Sequence, residues 1–343
     1  MEYGSEFDAR ANLAFTGSAG AFVQEDWQLY RSGRDAMKAL ARLLGPRRVL
    51  LPALCCESMI GPFTANGWEV GFYRMTADFR GDEADAREKL RAGDLLLVMP
   101  YFGIRPFSAA FLKSLRDEYI VEDRTQDIIV PRIKEDFHPH ATLASLRKWA
   151  ALPDGGMLQT ALGAGEGVSD GRFAAWREEA MEKKSRYLES WEPAVKQDFL
   201  AELARASDLL DADAVPVFMG ERSRACLRTL DAAAIYRARL KNVRRLAARL
   251  TPLRESGKLR FLGEDAENGP LYFPLLLEER GRVQRAMAEK GVYCPVIWPE
   301  PKEAAGVCPN AKYAVEHMLA IPCDQRYGEK DMDFIAACLT EVL

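Results

Sequence analysis

Apolar and polar positions along the first half of the chain predict strands and helices in alternation. Short, nearly continuous apolar runs predict strands at 48–54, 68–75, 94–99, 119–123, 141–146 and 156–160. Apolar positions at helical spacing predict helices between them at 34–44, 57–66, 83–91 and 108–118. Strands that alternate with helices of about ten residues indicate βαβ units and a mostly parallel sheet, buried on both faces. We therefore expect an α/β fold.

The pattern changes in the second half of the chain. From residue 172 to about 253, long charged segments at helical spacing predict helices with few strands between them. Short strands return after Gly257, at 258–262 and 271–277, together with helices at 279–289, 311–319 and from Glu329 onward. The sequence thus predicts a large domain over residues 1–250 and a small C-terminal α+β domain over residues 251–343.

Composition and charge narrow the class of partner. The chain has 343 residues with 47 basic and 51 acidic side chains, so it lacks the positive field that nucleic-acid binding needs. No apolar run approaches the ~20 residues that span a bilayer, and residues 1–10 lack the basic start and apolar core of a signal peptide. Seven cysteines without a Cys-x-x-Cys pair fit free thiols in a reducing compartment. We expect a cytoplasmic protein with small-molecule partners, and no nucleic acid or membrane.

Two residues with suitable chemistry lie where predicted strands end. Asp123 closes the strand at 119–123, and Lys148 follows the next strand, ahead of the turn Pro153-Asp154-Gly155-Gly156. Ligands of parallel sheets bind beyond these carboxyl ends. A carboxylate there favours a protonated pyridine nitrogen, and a partly desolvated amine can form a Schiff base. The pair predicts a pyridoxal phosphate (PLP) site, although each residue alone also fits a solvated surface position.

A third feature is the entry into the first helix at Ser32-Gly33-Arg34. Glycine lets the backbone approach an anion, and the N–H groups of a first helical turn attract negative charge. Ser32 by itself fits an ordinary N-cap. Together with Asp123 and Lys148, the entry predicts a binding site for the cofactor's phosphate.

Two other chemistries fit the sequence poorly. Ser145 and Lys148 match the Ser-x-x-Lys signature of serine acyl transfer, but here that pair ends a strand and no Lys-Thr-Gly accompanies it. His138, His140 and His317 are the only histidines, and no carboxylate or cysteine completes a recognisable ligand set around them. We therefore expect neither acyl transfer nor a metal site.

In order and spacing, these residues resemble the DegT/DnrJ/EryC1/StrS group of fold-type-I PLP enzymes, which are largely sugar aminotransferases. The resemblance runs through most of the chain. It is carried by Ser32-Gly33-Arg34-Asp35-Ala36, Val49-Leu50-Leu51-Pro52, Tyr101-Phe102-Gly103, Glu122-Asp123-Arg124-Thr125-Gln126, Lys148 ahead of Asp154-Gly155-Gly156, Arg239-Leu240-Lys241-Asn242 and the segment 314–322. It implies a mostly parallel, mixed sheet of the seven-stranded type, packed between helices, and a small C-terminal α+β domain. It also implies transamination to a keto acceptor such as a keto-sugar nucleotide.

The resemblance also implies roles for individual residues. Lys148 would be the Schiff-base lysine and proton carrier, Asp123 the partner of the ring nitrogen, and Gln126 a neighbour of the ring oxygen. Gly33 and Arg34, with Ser145, would hold the phosphate. The resemblance further implies a homodimer whose active sites are built from both subunits.

Three departures from the family pattern stand out. Cys56 occupies the position where the family places an aromatic residue against the pyridine ring, Pro100 replaces a histidine, and Ser145 lies nearer to Lys148 than the family's serine does. Two alternatives therefore stay open beside the aminotransferase. One is a PLP-dependent dehydratase, although related dehydratases replace the lysine with histidine, and the other is a non-catalytic homologue that serves as a binding subunit.

Overall fold

The computed structural model describes residues 2–17, 26–130, 138–262 and 271–343. Its larger sheet has seven strands in the order β1-β7-β6-β5-β4-β2-β3. The strands are β1 (Gln28–Tyr30), β2 (Arg48–Pro52), β3 (Glu69–Tyr73), β4 (Leu95–Val98), β5 (Tyr119–Asp123), β6 (Ala141–Ser145) and β7 (Gly156–Thr160). Strands β3, β2, β4, β5 and β6 pair in parallel, whereas β7 is antiparallel to both β6 and β1. The predicted mixed, mostly parallel sheet is confirmed.

Helices cover this sheet and connect its strands. They are α1 (Gly33–Leu44), α2 (Glu57–Thr64), α3 (Glu83–Lys89), α4 (Ala109–Ser114), α5 (Arg172–Ser190), α6 (Pro193–Ala212), α7 (Glu221–Thr229) and α8 (Ala232–Glu255). The helices predicted in the charged region after residue 172 are thus present, and α5 packs along α6. None of the helices in the described ranges is long and apolar enough to cross a bilayer.

The C-terminal part is built on a separate antiparallel sheet. It comprises β8 (Arg260–Phe261), β9 (Phe273–Leu276) and β10 (Met318–Ile321), with helices α9 (Arg280–Glu289), α10 (Pro309–His317) and α11 (Glu329–Val342). Leu246 and Leu250 of α8 share an apolar core with Ile335 and Leu339 of α11. Helix α8 therefore belongs to both parts of the molecule, and the domain division at residue 250 stays a prediction.

Several predicted bounds differ from the structure by a residue or two, and two larger differences concern β1 and α4. Strand β1 was not predicted, because three residues are too few to show an alternating pattern. The helix expected at 108–118 begins one residue later and ends at Ser114, because Leu115 adopts extended backbone angles and starts the turn into β5. Neither difference moves the strands that carry the site.

The parallel arrangement decides where the chemistry gathers. Since β1, β2, β4, β5 and β6 all point the same way, the loops that follow them leave from one edge of the sheet. The loops contain, in chain order, Ser32, Cys56, Tyr101 and Lys148, and Asp123 ends β5 at the same edge. The predicted site residues are therefore brought to a common edge.

Candidate active site

Asp123 is the last residue of β5 and is only 3% exposed. Its Oδ1 atom accepts a hydrogen bond from the backbone N–H of Thr125 at 2.8 Å. Burial raises the pKa of this carboxyl, while the bonds from Thr125 and the charge of Lys148 oppose the rise. A buried carboxylate of this kind gains from a cationic partner such as a protonated ring nitrogen.

Lys148 ends a short 3-10 turn, Leu146–Lys148, that follows β6. Burial lowers the pKa of its amine; the charges of Cys56 and Asp123 raise it, and those of Arg147 and Arg34 lower it. Its neighbour Trp149 is fixed by a hydrogen bond from Nε1 to the backbone oxygen of Thr125 at 2.8 Å. Lys148 is half-buried and lies within electrostatic reach of Asp123.

Thr125 joins the two loops that carry these residues. Besides its bond to Asp123, it accepts a hydrogen bond at Oγ1 from the backbone N–H of Ser145 at 3.0 Å. The ends of β5 and β6 are therefore locked together, which fixes the separation between the carboxylate and the amine.

Gln126 is 2% exposed and lies in the same cavity wall as Lys148. Its Oε1 atom accepts a hydrogen bond from the backbone N–H of Phe102 at 2.9 Å. Phe102 has a φ of 52°, a left-handed conformation that costs about 1–3 kcal/mol in a non-glycine residue. This bond uses the carbonyl side of the amide and leaves Nε2 as the group that can donate to a ligand.

The start of α1 lies beside Ser145. Ser32 caps the helix, because its Oγ atom accepts from the Asp35 N–H at 3.2 Å and donates to Asp35 Oδ2 at 2.6 Å. The ordinary N-cap role considered for Ser32 is therefore present. The N–H groups of Gly33 and Arg34 precede the first intrahelical bond and point out of the helix start. A Cβ atom added to Gly33 would lie 3.4 Å from Ser145 Cβ, so the helix start and Ser145 are neighbours.

The Asp154-Gly155-Gly156 turn holds this helix start in place. Gly155 N–H donates to the Arg31 oxygen at 2.7 Å. A Cβ atom on Gly156 would lie 2.1 Å from the Ser32 oxygen and 2.7 Å from the Gly33 nitrogen, so only glycine fits there. The two glycines thus allow the start of β7 to pack directly against the start of α1, where the sequence predicts the phosphate site.

The Arg34 side chain points to a different partner. It forms an ion pair with Asp211 of α6, and 28% of the side chain is exposed. What Arg34 offers at the helix start is therefore its backbone N–H group rather than a free guanidinium.

Cys56 is the N-cap residue of α2 and is half-buried, with its Sγ atom 2.9 Å from Ser58 Oγ. It lies within electrostatic range of Lys148 and Tyr101. Tyr101 is fully buried, and its hydroxyl donates to the Leu54 oxygen. Its ring packs edge-on against Trp298 with the centroids 6.2 Å apart. Trp298 lines the cavity, and sequence reasoning had not placed it at the site.

A cavity of about 590 Å³ opens at this edge, within the range of about 300–1,000 Å³ common for small-molecule sites. Besides Gln126 and Lys148, its wall contains charged residues to which the sequence analysis gave no role in the site, from the N-terminal segment, the turn after β6, α5, α8 and the loop after β10. These residues are Glu6, Arg147, Arg177, Arg239, Asp324 and Arg326. Two of them carried a sequence signal: Arg147 is next to Lys148, and Arg239 begins the Arg-x-x-Asn pattern that the family resemblance includes.

The residues fit PLP in charge and in chemical type. A buried carboxylate suits a pyridinium nitrogen, the Lys148 amine suits an aldehyde, and helix N–H groups beside Ser145 suit a phosphate. For metal ions, the described ranges contain no group of three His, Cys, Asp or Glu residues that could hold one.

Comparison with known proteins gives a structural answer only. No family model matches the sequence, and no curated protein matches it. Among solved structures, a DegT/DnrJ/EryC1/StrS aminotransferase from Brucella abortus is 16% identical, with 92% of this chain and 85% of that chain covered and a TM-score of 0.60. PseC from Helicobacter pylori, an aminotransferase of pseudoaminic acid biosynthesis, is 10% identical, with 100% and 99% covered and a TM-score of 0.68.

A third structure was determined with a cofactor. NtdA from Bacillus subtilis, with bound pyridoxamine phosphate (PMP), is 15% identical, with 92% of this chain and 73% of that chain covered and a TM-score of 0.64. Identities this low establish the fold and leave the activity to be argued from the site. The chain therefore has the fold of the DegT/DnrJ/EryC1/StrS aminotransferases, a fold-type-I architecture, as its sequence resemblance implied.

Proposed function

We propose that this chain is a PLP-dependent aminotransferase that moves an amino group from an amino-acid donor to a keto acceptor. The observation that carries the proposal is that Asp123 and Lys148 stand at the ends of neighbouring parallel strands, β5 and β6, within electrostatic reach of each other. A desolvated amine and a buried carboxylate, each acting on the pKa of the other, lie at the carboxyl edge of a fold-type-I sheet. Bound PLP would supply an aldehyde for the amine and a ring that withdraws electrons from the donor's Cα.

Lys148 has two tasks in this proposal. Because burial lowers its pKa, a larger fraction of the amine is neutral near pH 7 than in an exposed lysine, as attack on an aldehyde requires. Once the donor has taken its place, the same amine would remove the proton from the donor's Cα and deliver it to the carbon of the cofactor's former aldehyde group, two bonds away. Positioned proton transfer of this kind contributes about 10²- to 10⁴-fold to the rate.

The other site residues would position the cofactor. Asp123 would keep a ring nitrogen protonated, and the free amide of Gln126 would donate to the ring oxygen. Ser145 and the N–H groups of Gly33 and Arg34 would hold the phosphate, with the Ser32 cap fixing the helix start. Cys56 would lie against one face of the ring.

The finer parts of the proposal concern substrate and assembly. The acceptor we propose is a keto-sugar nucleotide, supported by a structural neighbour that acts in pseudoaminic acid biosynthesis. We also propose a homodimer whose active sites are built from both subunits, as the family resemblance implies. A cytoplasmic location is supported by the seven cysteines, all of which are free thiols.

The test is covalent trapping of the cofactor. The full chain is mixed with PLP, reduced with borohydride and digested, and mass spectrometry should find the pyridoxyl group on Lys148. Lys148→Ala should abolish both the trapping and the visible absorption of the bound cofactor, whereas the exposed Lys258→Ala should change neither. Asp123→Asn should keep the trapping and lose about a hundredfold or more in amino transfer. A protein that stays colourless and unlabelled would show that the chain is a non-catalytic homologue.

A further inference from the structure

Two arginines that influence each other electrostatically line the cavity. Arg147 directly precedes Lys148, and Arg177 lies on α5. Both line the cavity, and burial together with the charge of Arg177 lowers the pKa of Arg147 to about 10. Two like charges that interact in this way are unfavourable unless a negative group lies between them.

Neither guanidinium has all its hydrogen-bond donors satisfied. Arg177 is 5% exposed, and its Nη2 atom donates to Glu6 Oε2 at 2.9 Å, but its buried Nε has no acceptor within the described residues. The Nε of Arg147 is likewise buried and lacks an acceptor in that part of the chain. Buried donors without acceptors are uncommon in folded proteins. The arrangement is therefore suited to an anion.

The charges around the cavity point the same way. Its wall holds five basic side chains, those of Arg147, Lys148, Arg177, Arg239 and Arg326, and two acidic ones, those of Glu6 and Asp324. Asp324 forms an ion pair with Arg326, in which Oδ2 lies 2.8 Å from Nη2. Glu6 is thus the acid left for Arg147 and Arg177.

Glu6 behaves as a counter-ion that can be replaced. The partial burial of its carboxyl in the cavity would raise the pKa, but the charges of Arg177 and Arg147 outweigh this and bring it down to about 2. Its side chain is 47% exposed, so it can leave without opening the core. The segment that carries it is held by its backbone, since Arg326 donates to the oxygens of Ser5 at 2.8 Å and Glu6 at 3.0 Å.

We propose that Arg147 and Arg177 form an anion subsite for a carboxylate or phosphate group of the substrate, and that Glu6 is the internal counter-ion which this group displaces. The identification of the anion as substrate rests on the proposed function, whereas the binding of an anion does not. The phosphate of the cofactor is a second source of the same chemistry, so the experiment must separate the two.

The test measures binding of inorganic phosphate and of glutarate to the full chain by calorimetry, with and without saturating PLP. Glu6→Gln should tighten binding of both probes about tenfold, because a competing carboxylate is gone. Arg147→Met and Arg177→Met should each weaken it about tenfold or more, since each removes charge-assisted hydrogen bonds. The matched controls Glu182→Gln and Arg186→Met, at exposed positions of α5, should bind like the unaltered chain.

The outcomes separate the subsite from its alternatives. Tighter binding in Glu6→Gln cannot arise from misfolding, and the thermal unfolding midpoint of each arginine variant shows whether its weaker binding reflects folding. If saturating PLP abolished the binding of both probes, the arginines would belong to the site of the cofactor's phosphate, and the proposal would be overturned. Unchanged binding in both arginine variants, or weaker binding in Glu6→Gln, would also overturn it. In the arm without PLP, the Glu6, Arg147 and Arg177 variants distinguish the arginine subsite from the helix start at Gly33, so this arm remains decisive if the chain binds no cofactor.

Discussion

At the scale of single residues, burial gives ordinary side chains unusual chemistry. Lys148 and Asp123 would each fit a solvated surface by residue type, yet burial moves the pKa of the amine down and that of the carboxyl up. Both shifts favour the neutral forms, and each partner's charge opposes the shift of the other. A buried pair of this kind is well suited to receive a ligand that carries a positive ring nitrogen.

The lowered pKa of Lys148 leads to a prediction about pH. Only the neutral amine reacts in reductive methylation, so Lys148 should stay reactive at lower pH than an exposed lysine, whose pKa is about 10.4. The measurement is the pH dependence of methylation at Lys148 and at Lys258 in the same sample, read by mass spectrometry. Comparing midpoints rather than rates removes the effect of access. Equal midpoints would contradict the shift.

At the scale of elements, the site depends on close contact between α1 and β7. The Ser32 cap and the two glycines of the Asp154-Gly155-Gly156 turn bring the backbone of one element against the other. This contact has no room for a side chain. The glycine pair, read from the sequence as part of a turn, therefore also sets the position of the helix start.

A substitution at Gly156 tests this contact. Gly156→Ala should lower the free energy of unfolding by about 2 kcal/mol or more, because the new Cβ atom meets backbone rather than a flexible side chain. Gly281→Ala in α9 is the control, since its Cβ would have only an ordinary contact of 3.7 Å with Arg285 Nη1. That change should be neutral or stabilise by up to about 1 kcal/mol. The free energy of unfolding of both variants is measured in urea. Equal values for the two variants would refute the close contact at Gly156.

At the scale of the whole molecule, the small C-terminal sheet region and the Lys148 loop are joined through α8. Arg239 donates from Nε to Gln325 Oε1 at 2.9 Å and from Nη1 to the Leu271 oxygen at 3.0 Å. Its guanidinium lies 4.5 Å from the centre of the Trp149 ring, and Gln325 donates to the Trp149 oxygen at 2.7 Å. The residue next to Lys148 is thus supported from the far part of the chain.

Removing the Arg239 side chain should destabilise the fold. Arg239→Met leaves two buried acceptors without donors, so the free energy of unfolding should fall by about 2–4 kcal/mol. Arg237→Met, at an exposed position of the same helix, should stay within about 0.5 kcal/mol of the unaltered chain. Urea unfolding measures both. If the two variants were equally stable, the Arg239 network would not join the two parts.

The sequence by itself determined the alternation of strands and helices and the positions of Asp123, Gln126 and Lys148 at strand ends. These features are local, because the period of apolar residues records which face of each element is buried. Tertiary structure alone decided the partners. The pairing of Glu6 with Arg177 joins residues 171 positions apart, and the Gly156 contact and the Arg239 network likewise depend on how distant elements pack. Local periodicity specifies that a residue is buried, whereas its partner there is fixed only when the elements meet.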